Sequence, residues 1–314
     1  MGRGTRCRKP RADNDGKVNP PWVTVRAMTE ATETFNKLTA SVMPQRHRPL
    51  THFFFAALMA ACVGGGIPAL SAAVAVEPAT VLITGASRGI GFEFTRQYAE
   101  KGWTVIATCR SPVEADALQA LAARRTNVTI AAMDVTDSVQ IEALAEKYQD
   151  ASIDVLLNNA GIFGYEHLQT LDVLDYDTFE QVMAVNVYGP LKVSQAFAES
   201  VAASNQKKIV TLTSGLGSMS WTELTGGGYY FYRASKAGVN IVGRALAEDL
   251  RDQGILIGLF NPGIVNTDFL KWTTYNGPTM EPEEAVAHLI RLIEELNDEN
   301  NAIMINYDGT PIPW

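Results

Sequence analysis

From residue 79 onward the chain repeats one unit: a short β-branched apolar run, a turn, then an amphipathic stretch with helical spacing. The apolar runs fall at 80–84, 104–108, 128–133, 153–157, 208–212, 255–260 and 302–305. Helical texture fills 90–101, 113–124, 137–148, 174–204, 230–251 and 282–296, with Asp137 where an N-cap belongs. Seven strands alternating with six helices leave few choices. Continuously apolar strands must be covered on both faces, and crossover helices do that in a parallel sheet. The expected fold class is α/β, a single Rossmann-type doubly wound domain over 77–314. No linker and no internal repeat interrupts it.

The chain upstream differs in texture. Residues 1–50 carry ten Lys or Arg and four Asp or Glu, a net of +6, which leaves −14 for the rest of a chain whose total is −8. The segment 1–42 reads as a disordered basic arm. The segment 43–76 reads as signal-peptide-like. Its apolar run 53–63 is eleven residues long, half of what a membrane span needs, and Gly64, Gly65, Gly66 and Pro68 end it. Met43 with Arg46 and Arg48 supplies a basic start, and Ala73-Val74-Ala75 a small-residue cleavage site. Export is therefore expected if that segment works as a signal, cytoplasm if it does not, and membrane contact only if 53–63 is retained. Removal of 1–75 is expected to leave the domain intact.

Composition closes other routes. Cys7, Cys62 and Cys109 are too few and too far apart for a disulfide framework. His47, His52, His167 and His288 lack metal-ligand spacing, so no metal site is expected. The acidic balance opposes general nucleic-acid binding.

The first chemical signal joins the first strand to the first helix: Thr84-Gly85-Ala86-Ser87-Arg88-Gly89-Ile90-Gly91. Small residues let the backbone approach a pyrophosphate, and the helix start supplies free N–H groups and partial positive charge. The second signal is Tyr232 and Lys236, four apart and so on one helix face. A phenol alone is a poor acid or base near neutrality, and a nearby ammonium lowers its pKa. Tyr229 and Tyr230 compete for the role, but only Tyr232 has a lysine four residues on.

Taken with Asn158-Asn159-Ala160-Gly161 and Pro262-Gly263, these segments resemble the short-chain dehydrogenase/reductase family over about 79–314. Within it, the stretch from Tyr232 to Asn240 and the terminal Pro313-Trp314 resemble the small carbonyl reductases related to C-factor and sniffer. The resemblance implies a seven-stranded parallel sheet of order 3-2-1-4-5-6-7 and a homo-oligomer. It also implies hydride transfer between a nicotinamide and a carbonyl or secondary alcohol, with Tyr232 as acid/base. Ser214 matches the family serine, although it lies 18 residues before Tyr232, so the loop 218–228 is longer than the family's; Ser218 competes with it. Asn186 matches the helix asparagine that completes the catalytic set. Gly85, Ser87, Arg88, Gly89, Ile90 and Gly91 match the phosphate loop, and Asp134 with Val135 the adenine-contact pair. Asn159, Ala160 and Gly161 close the fourth strand on the cofactor. Pro262, Gly263, Val265 and Thr267 line the nicotinamide, which Tyr232 and Lys236 also reach. Asp134 is equally a turn residue, and Asn158 and Asn159 equally scaffold.

Cofactor preference is argued from charge. NAD sites in such sheets usually place an acid at the end of the second strand. Here that end reads Thr108-Cys109-Arg110. Arg88 and Arg110 can grip a 2′-phosphate, so NADP(H) is expected over NAD(H). Phe269, Leu270, Trp272 and Tyr275, with Trp221 opposite, favour a small apolar carbonyl or alcohol substrate; the same aromatics also suit lid or interface packing. Two other function classes stay open. One is a cofactor-binding signalling or sensing protein with little turnover. The other is a sugar-nucleotide epimerase, which the glycine spacing and the short tail after Pro262 oppose.

Overall fold

The computed structural model describes residues 77–314. The basic arm and the signal-like segment expected over 1–76 lie outside them. The first half alternates β1 (Thr80–Ile83), α1 (Gly89–Glu100), β2 (Thr104–Cys109), α2 (Asp116–Arg124), β3 (Val128–Ala132), α3 (Ser138–Lys147) and β4 (Val155–Asn158). Then come α4 (Tyr176–Met183), a π-helical segment Ala184–Tyr188, α5 (Gly189–Ala202) and β5 (Lys208–Leu212). A single turn α6 (Thr222–Thr225) precedes the long α7 (Tyr230–Asp249), β6 (Leu256–Asn261), α8 (Pro282–Glu294) and β7 (Met304–Asn306).

All seven strands pair in parallel in the order β3-β2-β1-β4-β5-β6-β7, as the resemblance implies. The strand period of two divides the core. Val81 and Ile83 face one side with Phe94, Tyr98, Val105, Leu289 and Ile293, while Leu82 faces the other with Ile106, Ile141, Leu156, Phe197 and Val201. So α1 and α8 cover one face, and α3 and α5 the other. Asp137 caps α3 as expected, accepting from the backbone N–H groups of Val139 and Gln140. Lys208 is a buried charge at the start of β5. Its Nζ donates to the carbonyls of Ile293 at 2.7 Å and Glu294 at 3.2 Å, closing the C-terminus of α8. Among the described residues no helix is long and apolar enough to cross a membrane.

The topology reverses between β1, which runs on to β2 and β3, and β4, which runs on to β5. Open α/β sheets bind ligands in the crevice outside the carboxyl ends of the strands at such a reversal. One expected element differs in form. The helical run 174–204 is not one continuous α-helix: it switches to π geometry at Ala184–Tyr188, beside that crevice.

Candidate active site

The glycine loop starts at the end of β1. Gly85 has φ +67, and a Cβ there would lie 2.9 Å from the Cα of Ala160. At Gly91, in the first turn of α1, a Cβ would lie 2.3 Å from the carbonyl oxygen of Gly85 and 2.4 Å from Asn159 Nδ2. Neither position admits a larger residue. Asn159 is what packs there: its Nδ2 donates to the carbonyls of Thr84 at 2.8 Å and Gly85 at 3.1 Å. The backbone N–H groups of Asn159 and Ala160 both donate to Thr84 Oγ1 at 3.0 Å. Asn159 is thus a loop brace, while Asn158 donates to Ser194 Oγ at 3.1 Å inside the core. Arg88 is the N-cap of α1, and Ser87 and Gly89 flank it on the loop, with the side chain of Thr267 3.4 Å from where a Gly89 Cβ would sit. Ile90 packs its side chain on the core.

Arg88 and Arg110 are both exposed, and among the described residues neither forms an ion pair. Arg88 nevertheless lies close enough to the segment after β6 to help hold Asp268 below the usual carboxylate range, a shift due first to Lys271. Asp134 uses one carboxylate oxygen in a turn, accepting from the N–H of Thr136 at 2.9 Å and its hydroxyl at 2.7 Å. Val135 is buried against Gly189 at the start of α5. Gly263 has φ +77 and lies on the ring of Tyr307. Beyond it Val265 pairs with Met280 in an isolated bridge, and Thr267 Oγ1 donates to the carbonyl of Val265 at 3.5 Å. These residues form a backbone cradle with two free guanidinium groups at its rim. The donor set fits a dinucleotide.

The candidate catalytic residues lie on α7, the π segment and the end of β5. Tyr232 and Lys236 are both buried on α7. Burial pushes the Tyr232 phenol well above its ordinary pKa, and the hydroxyl of Ser214, at the end of β5, draws it partly back. Burial also lowers the Lys236 ammonium from 10.5 to about 8. Lys236 Nζ donates to the carbonyl of Leu212 at 2.8 Å and stands 5.6 Å from the centre of the Tyr232 ring. Asn186 sits inside the π segment and spends its amide on scaffold. Its Oδ1 accepts from the N–H of Ile162 at 2.9 Å, and its Nδ2 donates to the carbonyl of Ile162 at 2.8 Å and to Ser235 Oγ at 3.0 Å. A Cβ on Gly161 would lie 3.4 Å from Asn186 Oδ1 and 3.9 Å from Lys236 Nζ, so the three meet.

The competitors fall away on placement. Tyr230 is exposed on an apolar patch with Leu171, Leu174 and Tyr176, and Tyr229, just before α7, is separated from Tyr232 by the ring of Phe163, which it meets edge-on at 5.2 Å. The hydroxyl of Ser218 donates to the carbonyl of Pro313, so it ties down the chain's end instead. His167 is exposed beside Tyr165. Two residues escaped the sequence reading. Phe163 stacks on Tyr232 with ring centres 4.5 Å apart and meets Phe269 edge-on at 5.9 Å. Gln169 is fully buried; its Oε1 accepts from the N–H of Tyr232 at 3.0 Å and its Nε2 donates to the carbonyl of Phe163 at 2.9 Å. It therefore satisfies a first-turn N–H of α7 that has no partner within the helix. Phe163 had a signal, an aromatic two residues past the Asn-Asn-Ala-Gly turn; Gln169 had none. Of the aromatics after β6, Phe269 reaches Tyr232 at 5.9 Å, whereas Trp272 meets exposed Tyr165 edge-on at 5.0 Å. Trp221 lies against Gly215, where a Cβ would be 2.7 Å from the indole. The lid is latched by Glu166, whose carboxylate accepts from the N–H and the hydroxyl of Thr274.

This arrangement has counterparts. The chain is 32% identical over 238 residues to 1-hydroxy-2-glutathionyl-2-methyl-3-butene dehydrogenase of a Rhodococcus species, covering 75% of this chain and 99% of the relative. It is 33% identical over 176 residues to the C-signal of Myxococcus xanthus, covering 55% of this chain and all of the relative. Among solved structures, the NADPH-bound carbonyl reductase from chicken fatty liver superposes with a TM-score of 0.70 at 29% identity, covering 76% of this chain and all of that one. The short chain dehydrogenase family matches residues 79–276, and the chain belongs to that family of nucleotide-binding oxidoreductases.

Proposed function

We propose that the protein reduces an apolar aldehyde or ketone with NADPH, and that Tyr232 donates the proton. NADPH supplies the hydride to the carbonyl carbon. The substrate oxygen gathers negative charge as that happens and takes the proton from the Tyr232 hydroxyl, yielding an alcohol and NADP+. The observation that carries this reading is the burial of Tyr232 beside Ser214. A phenol whose pKa is pushed up keeps its proton at neutral pH, and an alkoxide is basic enough to take it. Ser214 can donate to the same oxygen. Lys236 remains an ammonium below about pH 8 and keeps positive charge at the site. A phenol that resists ionisation supports the reductive direction over the oxidative one.

Preference for NADP(H) is supported by Arg88 and Arg110, by the absence of an acid at the end of β2, and by the NADPH held in the chicken reductase. The aromatic wall of Phe163, Tyr232 and Phe269 supports an apolar substrate. The test is Tyr232→Phe, assayed by NADPH oxidation over an aldehyde and ketone panel. Nucleotide affinity should persist while turnover falls by about 100-fold or more. Retained turnover would remove Tyr232 from the role.

A further inference from the structure

The loop between Ser214 and Tyr232, longer than the family resemblance implies, is anchored at both ends. At its start, the N–H and hydroxyl of Ser220 donate to the carbonyl of Trp314 at 3.0 and 2.6 Å, next to the Ser218–Pro313 bond. Trp221 there lies on Gly215, adjacent to Ser214. Its far end, Thr225-Gly226-Gly227-Gly228, has no such packing. A Cβ at Gly226, Gly227 or Gly228 would meet nothing within 4 Å, and Gly226 and Gly228 have φ +71 and +81. Thr225 is tied back to the Trp221 carbonyl by its N–H and hydroxyl, and the glycines beyond it are held by one side chain, Arg233. Its Nε donates to the carbonyl of Gly228 at 2.9 Å, and one Nη to Thr225 Oγ1 at 3.1 Å, to the carbonyl of Thr225 at 3.4 Å and to that of Gly226. The other Nη is buried without a partner, so the guanidinium is committed to the tip at the expense of one orphaned donor.

The tip feeds directly into the reaction centre. Tyr229 follows Gly228 with φ +54, a left-handed conformation unusual for a residue with a side chain. Its ring meets Phe163 edge-on at 5.2 Å, and Phe163 is the ring stacked on Tyr232. We propose that Arg233 is a positioning residue: it clamps the tip of this flap, fixes Tyr229 against Phe163, and thereby sets the wall that selects carbonyl substrates by size. The fork geometry matters, because a planar guanidinium reaches three carbonyls at once and a single ammonium does not. The proposal rests on the reading that Tyr232 is where the carbonyl is reduced.

Two measurements on the full chain test it. The first is hydrogen exchange of the amides in 222–228, which needs no activity. In Arg233→Ala these should exchange about 10-fold faster or more, as expected when a local tether is lost. The second is steady-state kinetics with butanal and with 4-phenylbenzaldehyde. KM for the bulky aldehyde should change by about 5-fold or more and that for butanal by less than about 2-fold, within the range a reshaped apolar wall gives. Free guanidinium should partly restore the alanine variant, and Arg233→Lys should fall between it and the parent; the lysine variant carries both readings if the alanine variant does not fold. Unchanged exchange over 222–228, or equal changes for the two aldehydes, would overturn the clamp. Tyr232→Phe separates the two ideas: it should stop turnover and leave flap exchange as in the parent. If that variant still turns over, the reaction reading fails while the exchange result still reports on Arg233.

Discussion

Replacing Lys236 with methionine should change how stability depends on pH, by an amount the structure lets one work out. Burial lowers the ammonium from 10.5 to about 8. The gap of about 2.5 corresponds to about 3 kcal/mol of destabilisation when the group must be charged in the fold. The folded pKa of this base is depressed, so between about pH 8 and 10.5 the unfolded chain binds more protons than the folded one, and stability rises with pH. The penalty is complete below about pH 8 and fades toward 10.5. Lys236→Met lacks the group, so the stability of the parent relative to the variant should rise by about 2 kcal/mol from about pH 7 to pH 10. The offset at neutral pH is smaller than 3 kcal/mol, because the variant also loses the bond to the Leu212 carbonyl, a charged-group bond contributing about 1.5–3 kcal/mol. Urea unfolding of both proteins across that range, without nucleotide and followed by circular dichroism, gives the slope directly. Two stability curves that run parallel would show that Lys236 is not desolvated in the fold, and the argument from burial would fail.

Three other outcomes are expected. Arg88→Ala with Arg110→Ala should weaken NADP(H) binding by at least about 10-fold, the scale of a lost charge-assisted contact, and leave NAD(H) little changed; equal losses in titrations of both nucleotides would make the arginines structural. Gly91→Ala forces a Cβ to 2.3 Å from the Gly85 carbonyl and should destabilise by about 1–3 kcal/mol and abolish tight nucleotide binding, read by thermal melting with and without NADPH. Gln169→Leu leaves the Tyr232 N–H and the Phe163 carbonyl unpaired and should cost about 2–4 kcal/mol in denaturant unfolding, whereas a loss below about 0.5 kcal/mol would mean that other groups satisfy them.

The sheet was legible because its signals are local. Each strand announces itself by β-branched apolar residues, and their all-apolar character already demands cover on both faces. Asp137 could be named as a cap from its own side chain and position. The glycine loop could be read because Gly85 and Gly91 have no substitute at their contacts. What was not legible depends on partners distant in sequence. That Lys236 and Tyr232 share a helix face could be read locally, but the anchor of its Nζ, the Leu212 carbonyl 24 residues away, could not. The π segment at Ala184–Tyr188 has ordinary helix-forming texture, and the bonds from Asn186 to Ile162 and Ser235 that accompany it are tertiary. Gln169 reads as a polar loop residue until α7 is placed beside it. Arg233 reads as an ordinary helix cation; its role depends on a glycine tip that folds back over it.

The Thr84–Asn159 brace has a mechanical consequence. It ties the ends of β1 and β4 together at the reversal point, through four bonds of 2.8–3.1 Å shared by one hydroxyl, one amide and two backbone N–H groups. The glycine loop and the turn after β4 are therefore cross-braced and must move together. The 268–280 segment on the opposite rim is held differently, by the carboxylate of Glu166 on Thr274, the bridge from Val265 to Met280, and the packing of Phe269 on Phe163 and Tyr232 and of Trp272 on Tyr165. A substitution at Thr84 or Asn159 would therefore loosen the glycine loop and the turn after β4 together, two segments 74 residues apart in the chain.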